Sequence, residues 1–160
     1  MERALELPYI YAGQLFREEA ARRGMTLAEF NALAQSDPDV DRALDDRQLE
    51  LLRGGGVILE GRLSGWLAYR YGIAAFKIWI VADADERIRR LVERDGDDRE
   101  TQAASMEDRV TREQDRYARY YGADLSDVSI YDVVLDSTST PPDELREGVL
   151  RSLEAFQPRL

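Results

Sequence analysis

The sequence predicts an α/β fold: a parallel sheet with helices packed on both faces. Three observations predict it. Short runs rich in β-branched, aliphatic or aromatic residues (Tyr9–Ala12, Val57–Glu60, Phe76–Val81 and Ile130–Leu135) alternate with longer amphipathic stretches. Recognisable helix starts and stops stand between them. No repeat, low-complexity stretch or linker divides the 160 residues, so a single domain over 1–160 is expected, large enough for a real core.

Taken in order, Met1–Leu7 reads as the tail of a helix that Pro8 ends, before the short strand Tyr9–Ala12. Gly13 turns the chain into a helix that carries Leu15, Phe16 and Ala20 inward, and Gly24 stops it. Thr26-Leu-Ala-Glu29 is a capping box that opens the next helix, through about Ala34. Asp37 caps a third, with Pro38 at its first position. The apolar stripe of that helix is Val40, Ala43, Leu44, Leu51 and Leu52, with Asp41, Asp45 and Gln48 on adjoining faces.

Val57–Glu60 then has the composition of a buried parallel strand, introduced by Gly54, Gly55 and Gly56 and closed by Gly61 and Arg62, with a helix over Ser64–Tyr71. Phe76–Val81 is a further strand, with Lys77 read as a strand-end or edge residue. A helix from Asp83 to about Arg94 displays Arg87, Arg90 and Arg94. Asp95–Thr101 is polar and expected to be flexible, and Ala103–Tyr121 is a long charged helix. The last strand, Ile130–Leu135, leads through the loop Ser137–Pro142 into a closing helix to about Phe156.

Composition narrows the chemistry. The chain has no cysteine and no histidine, which removes thiol nucleophiles, disulfides, Ser-His sites and ordinary zinc sites. A net charge of −10 disfavours nonspecific nucleic-acid or anionic-membrane binding, so neither partner is expected. No apolar run approaches the ~20 residues of a membrane span, and no signal sequence opens the chain, so a cytoplasmic address is expected. Lys77 is the only lysine; the other 21 basic residues are arginine, whose paired donors fork onto phosphate. The skew equally suits genomic composition or an acidic surface adapted to high salt.

Arginines cluster in three places: Arg17 after the first strand, Arg62 after the second, and Arg109, Arg112 and Arg119 along one side of the long helix. A solvated helix laced with Glu–Arg pairs explains the last group by itself, since Glu107, Asp108, Glu113 and Asp115 are close by. The two arginines at strand ends weigh towards an anion site, because ligands of open α/β sheets bind at the carboxyl ends of the strands. The run without a strand between Asp95 and Tyr121 suggests a mobile flap.

Seven strings carry a resemblance: Y-A-G-Q-L-F-R (Tyr11–Arg17), G-M-T-L-A-E-F (Gly24–Phe30), D-x-D-V-D-R-x-L-D (Asp37–Asp45), V-I-L-E-G-R-L-S-G-W (Val57–Trp66), F-K-I-W-I (Phe76–Ile80), R-E-Q-D-R-Y-A-R-Y-Y-G (Arg112–Gly122) and S-I-Y-D-V-V-L-D-S (Ser129–Ser137). In this order and at this spacing the chain resembles archaeal-type cytidylate kinases, which belong to the P-loop nucleoside monophosphate kinases. The resemblance implies a three-layer P-loop kinase fold and transfer of a phosphate from ATP to CMP or dCMP, with Mg²⁺. It implies an acceptor-binding helical insert over residues 24–53 and a lid over 95–122. By position, Gly13 and Arg17 match the turn and arginine that hold the acceptor phosphate, and Arg62 matches a second arginine on it. Glu60 matches a strand-end carboxylate able to hold a metal-bound water. Arg109, Arg112 and Arg119 match lid arginines that clamp phosphates and exclude water. Asp41 matches a cytosine or ribose contact, although an exposed helix aspartate serves as well. Leu63 stands where bacterial relatives have an aspartate.

One family element is missing from these 160 residues: the first strand and its G-x-x-G-x-G-K-[ST] loop, which cradles the ATP phosphates. Gly54–Gly56 precede a strand rather than a helix and do not replace it. Without the central strand, the Val57 and Phe76 strands have unpaired inner edges unless they close on each other. Each buried unpaired backbone group costs roughly 1–3 kcal/mol, against a domain stability of about 5–15. A marginal or rearranged fold is therefore expected. Two alternatives accompany the kinase reading: a nonenzymatic binder of nucleotides or of a partner chain, and a kinase for another small acceptor on the same scaffold.

Overall fold

The computed structural model describes residues 1–156. The chain divides into two compact units, Met1–Ala75 and Phe76–Leu160.

The first unit contains α1 (Glu2–Leu5), β1 (Tyr9–Tyr11), α2 (Ala12–Arg22), α3 (Leu27–Ser36), α4 (Pro38–Gly54), β2 (Ile58–Glu60) and α5 (Ser64–Arg70). β1 and β2 pair in parallel, Tyr9 opposite Ile58, Ile10 opposite Leu59 and Tyr11 opposite Glu60. α1 stops at Glu6, which takes a left-handed conformation ahead of Pro8.

The expected capping box at α3 is complete. Thr26 Oγ1 accepts from the Glu29 N–H at 3.3 Å, and the Glu29 carboxylate accepts from the Thr26 N–H at 2.8 Å. Asp37 caps α4 through the Asp39 N–H at 3.0 Å, with Pro38 at the first helical position. The first cap fixes the turn between α2 and α3 and the second the turn between α3 and α4, and the apolar faces close on Ala20, Phe30 and Val40, ringed by Phe16, Met25, Leu33, Ala34 and Leu44. Phe16 and Phe30 meet at 4.6 Å between ring centroids. α4 ends at Gly55, and Gly55 and Gly56 both have positive φ, which only glycine adopts without strain. They turn the chain from α4 into β2.

The second unit contains β3 (Ile78–Val81), α6 (Ala84–Asp95), α7 (Arg99–Tyr121), β4 (Val133–Asp136) and α8 (Pro142–Glu154). β3 and β4 pair in parallel, from Ile78 opposite Val133 to Val81 opposite Asp136. Lys77 stands just before β3, as its position in the sequence suggested. Its ammonium lies 2.8 Å from Asp132 Oδ2, which also accepts from the Lys77 N–H at 2.7 Å. At the other strand end, Ser137 donates from both its N–H and its hydroxyl to the Val81 carbonyl, at 2.7 and 2.8 Å. Arg90 on α6 reaches the Ser137 hydroxyl at 3.1 Å and its carbonyl. Ile88, Tyr117, Ile130 and Val149 are buried, and Trp79 packs on Tyr131 at 5.0 Å.

The α/β class holds, but the strands differ from a single sheet. Among the described residues they pair two and two, β1 with β2 and β3 with β4. Each strand is also shorter than its apolar run. Asp95–Thr101 is more ordered than its polarity suggested: α7 begins at Arg99, capped by Asp98 through the Thr101 N–H at 2.9 Å.

Candidate active site

The carboxyl end of β1 and β2 gathers most of the expected acceptor-side residues. Tyr11 is both the last residue of β1 and the N-cap of α2, so strand passes into helix without a loop. Gly13 lies in the first turn of α2. A Cβ there would sit 3.4 Å from the Tyr11 ring and 3.7 Å from Arg17 Nη1, ordinary van der Waals distances, so the ring and guanidinium lie directly over the turn. No side chain caps α2 and no acidic residue occupies its first turn. Its N-terminal N–H groups and the positive end of its dipole therefore remain open to an anion.

Arg17, one turn further along, folds back over Tyr11. Its Nη2 donates to the Tyr11 hydroxyl, and its guanidinium lies 5.2 Å from the ring centroid. Among the described residues it contacts no carboxylate. That sets it apart from Arg22, Arg23, Arg89, Arg90, Arg94 and Arg99, each paired with a neighbouring acid. A guanidinium held by a neutral phenol keeps its charge for a ligand.

Glu60 ends β2 in register with Tyr11, and its carboxylate accepts from the Tyr9 hydroxyl. Tyr9 and Tyr11, two apart on the strand, face the same side and stack at 5.8 Å. Burial first, then the bond to Glu60 and its negative charge, push the Tyr9 phenol up to about 12, so it stays a donor at any ordinary pH.

Gly61 and the half-buried Arg62 follow in a tight turn, closed by Ser64 Oγ donating to the Gly61 carbonyl at 2.7 Å. A Cβ on Gly61 would lie 2.8 Å from Gln48 Oε1, closer than real contacts come. Gln48 and Asp45 on α4 are both buried, joined at 3.3 Å from Gln48 Nε2 to Asp45 Oδ1. Gln48 Oε1 has no hydrogen-bond partner among the described residues. The sequence placed both residues beside the apolar stripe of α4; both are buried there, and Gln48 lies against Gly61. Asp41 sits half-buried in the first turn of α4, where its charge also suits the helix N-terminus.

Three expected site residues lie in the second unit, on α7. Arg109 Nε is 2.8 Å from Glu113 Oε1, Arg112 pairs with Asp108, and Arg119 contacts no carboxylate among the described residues. All three are exposed. Such exposed i,i+4 pairs are worth only about 0.3–0.5 kcal/mol, so they break at small cost.

Sequence reasoning treated Tyr9 and Tyr11 as strand residues alone. Their period-two spacing next to a strand-end glycine was the signal that both phenols share the site's face. Gln48 gave a weaker one, an amide three residues after Asp45 beside an apolar stripe.

A model of the cytidylate kinase-like family matches residues 4–139. The chain belongs to that family. It is 40% identical over 154 residues to a cytidylate kinase of Halobacterium salinarum, covering 96% of this chain and 79% of that protein. It is also 40% identical over 145 residues to one from Methanopyrus kandleri, covering 86% and 75%. A Pyrococcus furiosus cytidylate kinase is 36% identical over 150 residues, covering 94% and 77%. Within the family frame, the β1–α2 turn and the β2–α5 turn carry the residues that the resemblance assigned to the acceptor nucleotide.

Family membership implies a nucleotide ligand and raises the question of ATP and Mg²⁺. The donors within these residues do not fit that pair. No glycine-rich loop ending in Gly-Lys-[ST] occurs in the sequence, and the one lysine is bound to Asp132 ahead of β3. Among the described residues no group of three or more acidic side chains could hold a metal ion. Nor is any helix among them long and apolar enough to cross a membrane.

Proposed function

We propose that this chain carries the acceptor half of a cytidylate kinase-type phosphotransferase, binding CMP or dCMP at the carboxyl end of β1 and β2. The observation that carries the reading is Arg17, a guanidinium beside an uncapped helix N-terminus, held by a phenol and, among the described residues, by no carboxylate. In this reading the nucleotide's phosphate takes the open N–H groups of α2 and the guanidinium of Arg17, with Arg62 as second cation. Glu60 lies beside the phosphate at the strand end, where it orients water. The helices of residues 24–53 enclose the nucleoside, Asp41 among them. Arg109, Arg112 and Arg119, on the lid of residues 95–122, neutralise charge on the transferred group. ATP and Mg²⁺ are the family's donor and metal, and no step is assigned to them on these residues. A cytoplasmic address accords with a nucleotide substrate.

Calorimetric titration of the whole chain with CMP, dCMP, UMP and AMP tests the proposal. CMP and dCMP are expected to bind most tightly, and Arg17→Ala to raise the CMP Kd roughly tenfold or more, the size of a lost charge-assisted hydrogen bond. Equal binding of all four, or an R17A variant as tight as the parent, would sink it. A coupled ADP-release assay on this chain, and on one extended upstream by a glycine-rich Gly-Lys-[ST] loop, then asks whether transfer needs that loop.

A further inference from the structure

We propose that Tyr9 and Tyr11 are positioning residues that hold two opposite charges apart at one strand end. The Tyr9 hydroxyl holds Glu60, and the Tyr11 hydroxyl holds Arg17. A carboxylate and a guanidinium, each on a flexible side chain, are tethered to rings stacked 5.8 Å apart. Left to themselves, they would meet and neutralise each other, as acid–arginine neighbours do elsewhere in this chain. Here neither has an ionic partner among the described residues, and each is bound by a phenol instead.

The two phenols play complementary parts. Tyr9 donates to the carboxylate, and Tyr11 accepts from the guanidinium, so both bonds are charge-assisted. The guanidinium uses Nη2 on Tyr11 while Nη1 faces the Gly13 turn. The arrangement presents a cation to an anionic ligand at α2 and a carboxylate beside it, both already oriented. For its nucleotide arm this inference rests on the acceptor-site reading above.

Phenylalanine substitutions separate hydroxyl from ring, since stacking and the contact with Gly13 survive them. The first measurement is a double-mutant cycle between Arg17→Gln and Glu60→Gln in thermal melts of the whole chain. In the parent the two substitutions are expected to add without coupling. In Tyr9→Phe/Tyr11→Phe a coupling of up to about 2–4 °C is expected, the size of a newly formed exposed ion pair. Equal coupling in both backgrounds, or none in either, overturns the inference. Should the double variant not fold, Tyr11→Phe alone, with the ring kept beneath Arg17, carries the same cycle.

The second measurement is binding of CMP and of inorganic phosphate. The double variant should bind up to about fivefold more weakly, and Glu60→Gln in that background should restore binding. A loss that Glu60→Gln does not restore means that the tyrosines act through packing alone, and overturns charge separation. If the parent binds neither CMP nor phosphate, the acceptor-site reading fails, while the melts still decide the role of the phenols.

Discussion

At Gly61 an added Cβ would come closer to a neighbouring atom than real contacts do. Any side chain there meets the amide oxygen of Gln48 at 2.8 Å, and Gln48 is buried and tied to Asp45, so it cannot swing away freely. Gly61→Ala is expected to cost about 1–3 kcal/mol, the usual penalty of overpacking, lowering Tm by several degrees. Shortening the neighbour in Gly61→Ala/Gln48→Ala should recover part of that loss. Equal melting of G61A and the double variant would show that the clash is not the cause. Arg62 follows in the same turn, so G61A should also weaken CMP binding.

The candidate site was legible where chemistry requires a particular residue type: a glycine in a turn, an arginine after a strand. It was not legible where an ordinary residue takes a role from its neighbours. Tyr9 and Tyr11 are unremarkable strand residues until β1 pairs with β2 in the register that sets Tyr11 opposite Glu60. Gln48 gains its role only when α4 places it beneath Gly61, a contact between residues 13 apart in sequence that no local pattern encodes.

At the scale of elements, helix beginnings were the most readable features, because capping is local chemistry. Thr26 and Glu29 satisfy each other's backbone donors as their spacing required. Thr26→Ala should therefore cost about 0.5–2 kcal/mol and be visible as a fall in Tm. An unchanged Tm would mean that tertiary packing alone holds the start of α3. Strand ends were less readable, since an apolar run does not say where hydrogen bonding stops. The start of α7 was obscured by its acidic and polar residues, which here include the cap Asp98.

The acid–arginine pairs within helices make stability depend on pH. Hydrogen bonds from Arg22 and Arg23, with their charge, hold the Glu19 carboxyl down at about 2, and Arg89 and Arg90 do the same for Glu86. A carboxyl whose folded value lies below the ordinary 4.5 stabilises the fold above that pH and loses the contribution as pH falls towards 2. Glu86→Gln should therefore lower Tm at pH 6 and leave it almost unchanged near pH 2. Melts across that window, showing the same offset at both ends, would remove Glu86 as a cause.

At the scale of the molecule, the alternation of strand and helix gave the α/β class, while pairing of the strands two and two was not written in any one segment. Charge is distributed to match the proposed activity. The net of −10 repels polyanions at long range, while Arg17 offers one local cation to a small anion. Raising ionic strength should therefore weaken CMP binding without abolishing it. A salt-independent Kd would argue that the phosphate is not the principal contact.

The single lysine has a consequence for proteolysis. A lysine-specific protease has one cleavage point in this chain, the bond from Lys77 to Ile78, two residues past the boundary between the units. That bond enters β3, and Lys77 is tied to Asp132 by side chain and backbone. Cutting thus waits for the start of the β3–β4 pair to open. Asp132→Asn should hasten it, and the rate at which one band becomes two reports how often that corner of the fold lets go.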